Sequence, residues 1–285
     1  KPHSLELLRY YGIPVYDSLD IACKCTGMLA HYGSFLKSYH GKAEFDMNWG
    51  ARTKPAAKKI IATARGEGRH FLLEPEAKKL LELHGAPVSD DQMAHSADEA
   101  VQIAESIGGA VVLKVVSPQI LHKSDAGGVR VGLYGQEQVR HAYADILANA
   151  RQFDPAADIR GVLVSPMAPK GVEVIIGTKY DDQFGPVIMY GLGGIMVEIL
   201  KDVSFRVLPL SPPSARKMLE ETKSFPILDG VRGTPPSDKK AIRKMLLLCS
   251  EVIESYPEIA EMDLNPIIVY NTGLRVVDAR IILKP

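Results

Sequence analysis

A lysine stands inside an apolar run, and a histidine, a hydroxyl, an acid and a glycine pair follow closely. Lys114 lies within Val111–Val116, and the stretch His122–Gly128 supplies the other groups. A charge is rarely buried in a strand without a partner, and a glycine-rich turn lets N–H groups approach phosphate oxygens. These residues predict half of a nucleoside triphosphate site, with Lys114 on the phosphates. A solvent-facing edge-strand lysine is the alternative, which the glycine-rich loop disfavours.

The loop after Lys114 follows neither of the two most common phosphate-binding motifs. It lacks the order Gly-x4-Gly-Lys-Ser/Thr of a P-loop. It also lacks the Gly-x-Gly-x-x-Gly turn of a dinucleotide-binding fold. Both of these phosphate-binding folds are therefore disfavoured.

Asn265 and Asp278 are the candidate metal ligands. Mg²⁺ prefers hard oxygen ligands and takes only one or two side chains besides the phosphates of a nucleotide. Asn265 ends one predicted strand and Asp278 lies in the next, within the apolar segment Val276–Ala279, so a hairpin would bring them face to face. An ordinary turn asparagine and a strand-end aspartate remain the alternative, although the apolar segment weakens it for Asp278.

A proline-interrupted connector joins two apolar segments and is a candidate for binding a base. It contains Ser165, Pro166, Met167 and Ala168. Its free backbone groups could bond an adenine edge while Met167 packs on the face of the base. Glu173, alone among apolar neighbours, could accept hydrogen bonds from ribose hydroxyls. A plain β-hairpin with an outward Glu173 is the alternative, and these residues by themselves favour it.

Composition and charge narrow the possible partners. The 285 residues carry 34 Lys+Arg against 34 Asp+Glu, so nothing favours nucleic acid or an anionic membrane as a partner. No apolar run approaches the roughly 20 residues of a membrane helix. Three cysteines are too few for a disulfide framework and predict a reducing cytoplasm. The absence of an initial Met suggests a segment of a longer protein.

Residues 1–40 read as a small helix–strand–helix fragment. The pattern predicts a helix over Leu5–Tyr11, a strand over Ile13–Tyr16, and a second helix from Ser18 to about Tyr32 that stops at Gly33. Such a fragment is too small to bury a core alone.

Residues 41–70 read as a linker followed by a basic helix over Lys54–Arg65, and a larger region begins at Phe71. Its predicted helices are Glu74–His84, Ser96–Ile107, Gln136–Gln152, Pro212–Thr222 and Ser237–Ser255. Its predicted strands are Val111–Val116, Val129–Tyr134, Glu261–Val269 and Leu274–Leu283. Four further apolar segments lie between them, at Gly161–Met167, Val172–Lys179, Pro186–Tyr190 and Val203–Leu210. Mixed helices and strands indicate an α/β or α+β fold.

In combination, these features resemble the ATP-grasp domain of ADP-forming acyl-CoA synthetases, relatives of the succinyl-CoA synthetase β subunit. The matching segments, in chain order, are Lys114, His122–Val129, Asp182–Pro186, Gly191–Gly194, Asp263–Pro266 and Val277–Arg280. The resemblance implies an ATP-grasp fold of two α+β subdomains over residues 71–285. Residues 1–40 resemble the end of the CoA-ligase domain that precedes ATP-grasp in fused members.

The resemblance also implies a reaction. The family converts acyl-CoA, ADP and phosphate reversibly to carboxylic acid, CoA and ATP, through an acyl phosphate and a phosphohistidine that moves between domains. The expected cofactors are ATP or ADP and Mg²⁺, and the expected partner is a CoA-ligase domain or subunit that carries the primary phosphohistidine. CoA and a small carboxylic acid are the expected substrates of a cytoplasmic oligomer. Without its partner, we expect the chain to bind nucleotide but to complete no cycle.

By position, the resemblance assigns a role to each candidate residue. It gives His122 the phosphoryl relay, Lys114, Lys123 and Ser124 contacts with the nucleotide, Ser165–Ala168 the adenine hinge, Glu173 the ribose, and Asn265 and Asp278 the Mg²⁺. A loop histidine bound to a neighbour is the alternative for His122. Ser165 stands where succinyl-type relatives carry an acid, so the adenine contact would rest on the backbone alone.

Two other functions stay open at this point. One is a ligand-sensing, synthetase-like region of a protein lysine acyltransferase. The other is an ATP-grasp ligase in which an amine attacks the acyl phosphate. The joint presence of Lys114, His122, Asn265 and Asp278 favours the acyl-CoA synthetase over the sensor. The His122 loop argues against the amine ligase, which needs no histidine relay.

Overall fold

The computed structural model describes most of the chain, namely residues 2–38, 53–194, 201–230, 233 and 235–285. The chain divides into two compact units, Lys1–Met47 and Asn48–Pro285. The predicted linker falls largely outside the described residues. Within the described parts of the chain, no helix is long and apolar enough to cross a membrane.

The smaller unit contains helix α1 (Pro2–Tyr10) and helix α2 (Leu19–Ser38). The predicted strand over Ile13–Tyr16 is wrong, because this segment is irregular. A strand needs a neighbour for its N–H and C=O groups, whereas the N–H of Ile13 donates to the carbonyl of Leu8 in α1. The predicted stop at Gly33 is also wrong: α2 runs through it, since one glycine costs a helix only about 1 kcal/mol. The fragment is therefore a pair of helices.

The larger unit is an α+β body whose elements match the predicted ones with small shifts at their ends, except that the short strands over 71–72 and 92–94 were not predicted. Its helices are α3 (Pro55–Gly66), α4 (Glu74–Leu83), α5 (Ala97–Ile107), α6 (Gly135–Phe153), α7 (Pro212–Glu220) and α8 (Lys239–Ser255). Its strands are β1 (Phe71–Leu72), β2 (Gln92–Ala94), β3 (Val111–Val116), β4 (Val129–Leu133), β5 (Gly161–Pro166), β6 (Val172–Asp181), β7 (Gly185–Leu192), β8 (Val203–Val207), β9 (Ile259–Val269), β10 (Leu274–Val276) and β11 (Arg280–Leu283). The predicted last strand is thus split into β10 and β11.

An antiparallel sheet in the order β1-β11-β9-β6-β7-β8, with β10 paired to β9, forms the larger layer. Helices α3, α4, α7 and α8 contribute to its core. Ile61, Leu80, Met218 and Leu246, one from each helix, are buried in the same cluster as Ile176 of β6. Because strand residues alternate between faces, the polar residues of β9 and β11 are left on the other face.

A second antiparallel sheet, in the order β2-β5-β3-β4, forms the smaller layer with α5 and α6. Val111, Leu113 and Val115 of β3 lie in the core that this sheet shares with the two helices. Side chains alternate along a strand, so Lys114 points to the opposite face. Because β3 is an interior strand, Lys114 is not an edge-strand residue.

Candidate active site

A cleft of ≈ 430 Å³ lies where the loop after β3 faces β9 and the start of β11. His122 and Lys123 of the loop line it together with Asp263, Asn265 and Asp278. Residues more than a hundred positions apart in the sequence therefore line one cleft. The structure brings together the predicted relay histidine, one predicted phosphate ligand and both predicted metal ligands.

Asn265 and Asp278 face each other across neighbouring strands. β9 pairs with β10 and then with β11 in one register (267 with 276, and 263 with 280), which sets Asn265 opposite Asp278. The N–H of Val277 donates to the carbonyl of Pro266 over 3.0 Å and closes the ladder between β10 and β11. This is the face-to-face arrangement that the sequence predicts for the two residues.

The donor set of this ladder suits Mg²⁺. Asn265 and Asp278 present an amide oxygen and a carboxylate, and Asp263 lies two residues before Asn265 on the same strand face. Within the described residues, no group of three or more His, Cys, Asp or Glu could hold a metal ion by itself. An open site with few protein ligands is what Mg²⁺ uses when nucleotide phosphates complete its shell.

Asp263 lies in one of the segments that carry the family resemblance, but it was not among the predicted metal ligands. Burial raises the pKa of its carboxyl above the ordinary value, and the nearby charge of Glu261 adds to this effect. Arg280, its cross-strand partner, opposes the shift. Asp263 is therefore an acid that holds its proton more readily than a solvated aspartate, on the wall that faces His122.

Lys114 is buried, with 6% of its surface exposed. Its ammonium group donates to Oε1 of Glu74 at 2.7 Å, to the carbonyl of Val277 at 3.3 Å and to Oδ2 of Asp278 at 3.3 Å. Burial lowers the pKa of Lys114, but Glu74 and Asp278 outweigh it and leave the pKa above its ordinary value. The lysine is therefore a fixed positive charge directly behind the predicted metal ligand.

Glu74 is the centre of a buried charge cluster. Its carboxylate lies 2.7 Å from the ammonium of Lys114, 2.9 Å from that of Lys78 and 2.9 Å from that of Lys123. Burial raises the pKa of the Glu74 carboxyl, but the three lysine charges reverse this and hold the pKa well below its usual range. Sequence reasoning missed Glu74, because an acid in the first turn of a helix is an ordinary helix start.

The loop that carries His122 is closed by its own backbone. The N–H of Gly127 donates to the carbonyl of Ser124 at 3.0 Å, and the N–H of Gly128 donates to that of Lys123 at 2.7 Å. These two N–H groups are thus already used within the loop and are not available to a phosphate in this conformation. The glycines have packing reasons instead: a Cβ at position 128 would lie 2.4 Å from a buried valine of β3. The His122 side chain itself is exposed.

The predicted adenine hinge does not line this cleft. Ser165 pairs with Val112 on β3, which places it on the same sheet face as Lys114. Its hydroxyl is buried and has no hydrogen-bond partner among the described residues. Met167 is 48% exposed, and its N–H donates to the carbonyl of Ala110 at 2.9 Å. Ser165 therefore lies on the same face of the smaller sheet as Lys114, but the connector does not line the cleft.

Glu173 is exposed at the start of β6 and also lies outside the cleft wall. The N–H of Gly193, just after β7, donates to its carbonyl at 2.7 Å. A Cβ at Gly193 would lie 3.0 Å from the Cβ of Glu173. Close backbone approach therefore accounts for glycine at this position.

Two α+β layers, with a lysine, a histidine and oxygen donors gathered at a cleft, define a nucleotide-binding protein of the ATP-grasp class. The family described as "ATP-grasp domain" matches residues 63–283. The β subunit of acetate–CoA ligase [ADP-forming] I from Pyrococcus furiosus is 48% identical over 227 residues, which cover 80% of this chain and 97% of that protein. The chain belongs to the ATP-grasp family, among relatives of the ADP-forming acetate–CoA ligases. The fold expected from the sequence is confirmed.

A longer relative and a solved structure extend the comparison. Acetate–CoA ligase [ADP-forming] I of Archaeoglobus fulgidus is 41% identical over 280 residues, which cover 98% of this chain and 40% of that protein. The dinucleotide-forming acetyl-coenzyme A synthetase 1 of Ca. Korarchaeum cryptofilum superposes with a TM-score of 0.71 at 46% identity, over 80% of this chain and 100% of that chain. That structure contains coenzyme A and Mg-AMPPCP, and its phosphohistidine segment points towards the nucleotide binding site.

Proposed function

We propose that this chain is the nucleotide-binding part of an ADP-forming acyl-CoA synthetase. In this role it binds ATP or ADP with Mg²⁺ and moves a phosphoryl group between the nucleotide and His122. The observation that supports the proposal most is the shared cleft, in which His122 and Lys123 face Asn265 and Asp278. Relatives that are 41% to 48% identical over most of the chain are ligases of the same class.

The charges of the cleft suit phosphoryl transfer. Lys114 and Lys123 would neutralise phosphate oxygens, and Ser124 at the exposed loop offers a further hydroxyl. Asn265 and Asp278 would hold Mg²⁺, which supplies positive charge to the phosphates when it is bound. Positioning and charge compensation make up most of the catalysis in this reaction class.

His122 is the proposed acceptor of the phosphoryl group. An imidazole nitrogen is a competent nucleophile, and the His122 side chain is exposed at the cleft. As its bond to the γ-phosphorus forms, the bond from that phosphorus to the bridging oxygen breaks, and ADP leaves with the electron pair. The reverse step makes ATP from ADP and the phosphohistidine.

The base and the ribose would bind along the same face of the smaller sheet as Lys114. Ser165 shares that face, and we assign the backbone from Ser165 to Ala168 to the adenine and Glu173 to the ribose. The orphaned hydroxyl of Ser165 supports a polar ligand near the connector. Met167, which is half exposed, would pack on the base.

A second domain or subunit would complete the cycle. We propose that it carries the primary phosphohistidine and the CoA and carboxylic acid sites, and that residues 1–40 are the end of such a domain, 41–70 a linker and helix, and 71–285 the ATP-grasp domain. The match to 40% of the A. fulgidus ligase supports a fused arrangement. Free cysteines at 23, 25 and 249 agree with a reducing cytoplasm, where we place an oligomeric enzyme.

Calorimetry tests the nucleotide site directly. ADP and ATP are titrated into this chain with Mg²⁺ and with a chelator, and we expect binding that depends on Mg²⁺. Guanine nucleotides are titrated in parallel, since the site could prefer either base. Absence of heat for adenine and guanine nucleotides at millimolar concentration would contradict the proposal.

Phosphoryl labelling tests the role of His122. Label from γ-labelled ATP should appear on His122 in an acid-labile, base-stable form.

A further inference from the structure

The carboxylate of Glu74 takes no part in the chemistry proposed above. It nevertheless lies at the cleft and contacts Lys114 and Lys123, the two lysines proposed to bind phosphate. We propose that Glu74 is a positioning residue for phosphoryl transfer. It holds Lys114 and Lys123 in one arrangement and, through Lys123, fixes the loop of His122 at the nucleotide site. This inference deepens the proposed function and rests on it.

The two carboxylate oxygens of Glu74 hold different lysines. Oε1 accepts from Lys114 at 2.7 Å, and Oε2 lies 2.9 Å from the ammonium of Lys123. Only 1% of the Glu74 side chain is exposed, so close packing restricts it to one conformation. Oε2 has the ion pair but no aligned hydrogen bond among the described residues. A single buried group thus sets the separation between the phosphate-binding lysine and the loop.

The ion pairs of Glu74 join the two layers of the fold. Glu74 opens α4, whose Ala77, Leu80 and Leu81 are buried in the core of the larger sheet. Lys114 lies on β3 of the smaller sheet, and Lys123 lies on the loop that follows it. Within the described residues, Glu74 therefore ties both of these groups to the layer that carries Asn265 and Asp278.

Lys123 is the point at which the histidine loop is anchored. Its side chain is held by Glu74, and its carbonyl accepts the N–H of Gly128 at 2.7 Å. His122 is the preceding residue, and its side chain remains exposed at the cleft. An anchor one residue away limits where the imidazole can lie without occupying its nitrogens. Reacting groups held in place in this way react much faster than groups that must search for each other.

Simple charge balance does not explain Glu74. Lys78, its third neighbour, already has Asp91 at 2.5 Å and the hydroxyl of Ser89 at 2.8 Å. A carboxylate between two lysines that bind phosphate also opposes the binding of an anion. Removal of its charge should therefore leave nucleotide affinity equal or higher, and should slow only the step that depends on position. Slower labelling of His122 with equal or tighter nucleotide binding distinguishes a positioning role from a general structural role.

The test uses Glu74→Gln in the complete enzyme, meaning this chain with its partner domain or subunit. The rate at which γ-labelled ATP labels His122 should fall by about 10- to 100-fold. The dissociation constant for MgADP, measured by calorimetry, should stay within about threefold of wild type or become smaller, since no phosphate ligand is lost. The matched control is Glu82→Gln, on the same helix and 53% exposed, which should behave as wild type in both measurements.

A second variant covers the case in which Glu74→Gln folds poorly. Glu74→Asp keeps the negative charge of the cluster and shortens the side chain by one methylene, so that one carboxylate no longer reaches both Lys114 and Lys123. Labelling should remain slow in this variant.

The proposal is overturned if either Glu74→Gln or Glu74→Asp labels His122 as fast as wild type. It is also overturned if nucleotide affinity and labelling fall in equal proportion. A wild-type enzyme that binds no nucleotide, or that never labels His122, would instead overturn the proposed function before any variant is compared.

Discussion

The ammonium nitrogen of Lys114 lies 3.3 Å from Oδ2 of Asp278, so an interior strand of the smaller sheet contacts the segment that joins β10 to β11 in the larger one. The contact links a residue expected to bind phosphate with one expected to bind Mg²⁺. Changes on either side of it should therefore have different effects on nucleotide binding and on catalysis.

Asp278→Asn should reduce turnover of the complete enzyme by roughly 100-fold or more and change nucleotide affinity only slightly. Metal and preorganised charge act most strongly where charge develops during transfer. Steady-state kinetics and calorimetry measure the two effects, with Asp145→Asn on the exposed side of α6 as the control. Equal and small losses in both would mean that Asp278 has a structural role.

Lys114→Ala should weaken MgADP binding by about 1–3 kcal/mol, the usual scale for loss of a charge-assisted contact. Lys59→Ala on the exposed face of α3 serves as the control and should bind normally. Calorimetry of the two variants at one salt concentration gives the comparison. Unchanged affinity in Lys114→Ala would show that this lysine serves only the buried cluster with Glu74.

His122→Ala in the complete enzyme should abolish acyl-CoA formation and leave ATP affinity nearly unchanged. The imidazole would be a reacting group in the relay, and nothing else in the proposal gives it a share in nucleotide binding. Acid-labile label from γ-labelled ATP should no longer reach this domain. His141→Ala, on the exposed side of α6, is the control. Wild-type turnover in His122→Ala would mean that phosphate passes directly between ATP and the partner domain.

Glu74 should make the free energy of unfolding depend on pH under acidic conditions. Its folded pKa lies below the ordinary 4.5, so its contribution is present above about pH 4.5 and is lost as pH falls towards the folded pKa. In that window the unfolded chain binds the extra proton, which favours unfolding. Glu74→Gln should reduce the slope of unfolding free energy with pH by up to about 1.4 kcal/mol per pH unit. Denaturant unfolding between about pH 3 and pH 7 measures it, and a slope equal to that of wild type would contradict it.

Gly128→Ala should destabilise the protein by about 1–3 kcal/mol, the usual cost of overpacking a core. The new Cβ would lie 2.4 Å from Cγ1 of Val115, a buried side chain with little freedom to move. Gly109→Ala is the control, because a Cβ there meets nothing within 4 Å. Urea unfolding compares the two variants, and equal stabilities would show that the loop shifts without cost.

Sequence patterns predicted most elements of the larger unit because those elements are locally consistent. The apolar, β-branched run Val111–Val116 predicted a strand, and Ser96 caps α5 by accepting the N–H of Glu99. Local sequence also pointed to the candidates Lys114, His122, Asn265 and Asp278, because polar residues in apolar or glycine-rich segments are unusual. The resemblance that they support led to the correct family.

Only the tertiary structure decided which of these residues meet. Glu74 is 40 positions before Lys114, and no local pattern pairs an acid at a helix start with a lysine on a distant strand. The strand predicted over Ile13–Tyr16 failed for the same reason, because a strand exists only where another strand accepts its hydrogen bonds. Local sequence sets the conformation of short segments and the chemistry that each side chain can offer. The contacts between the two sheets, and with them the site, depend on how whole layers pack.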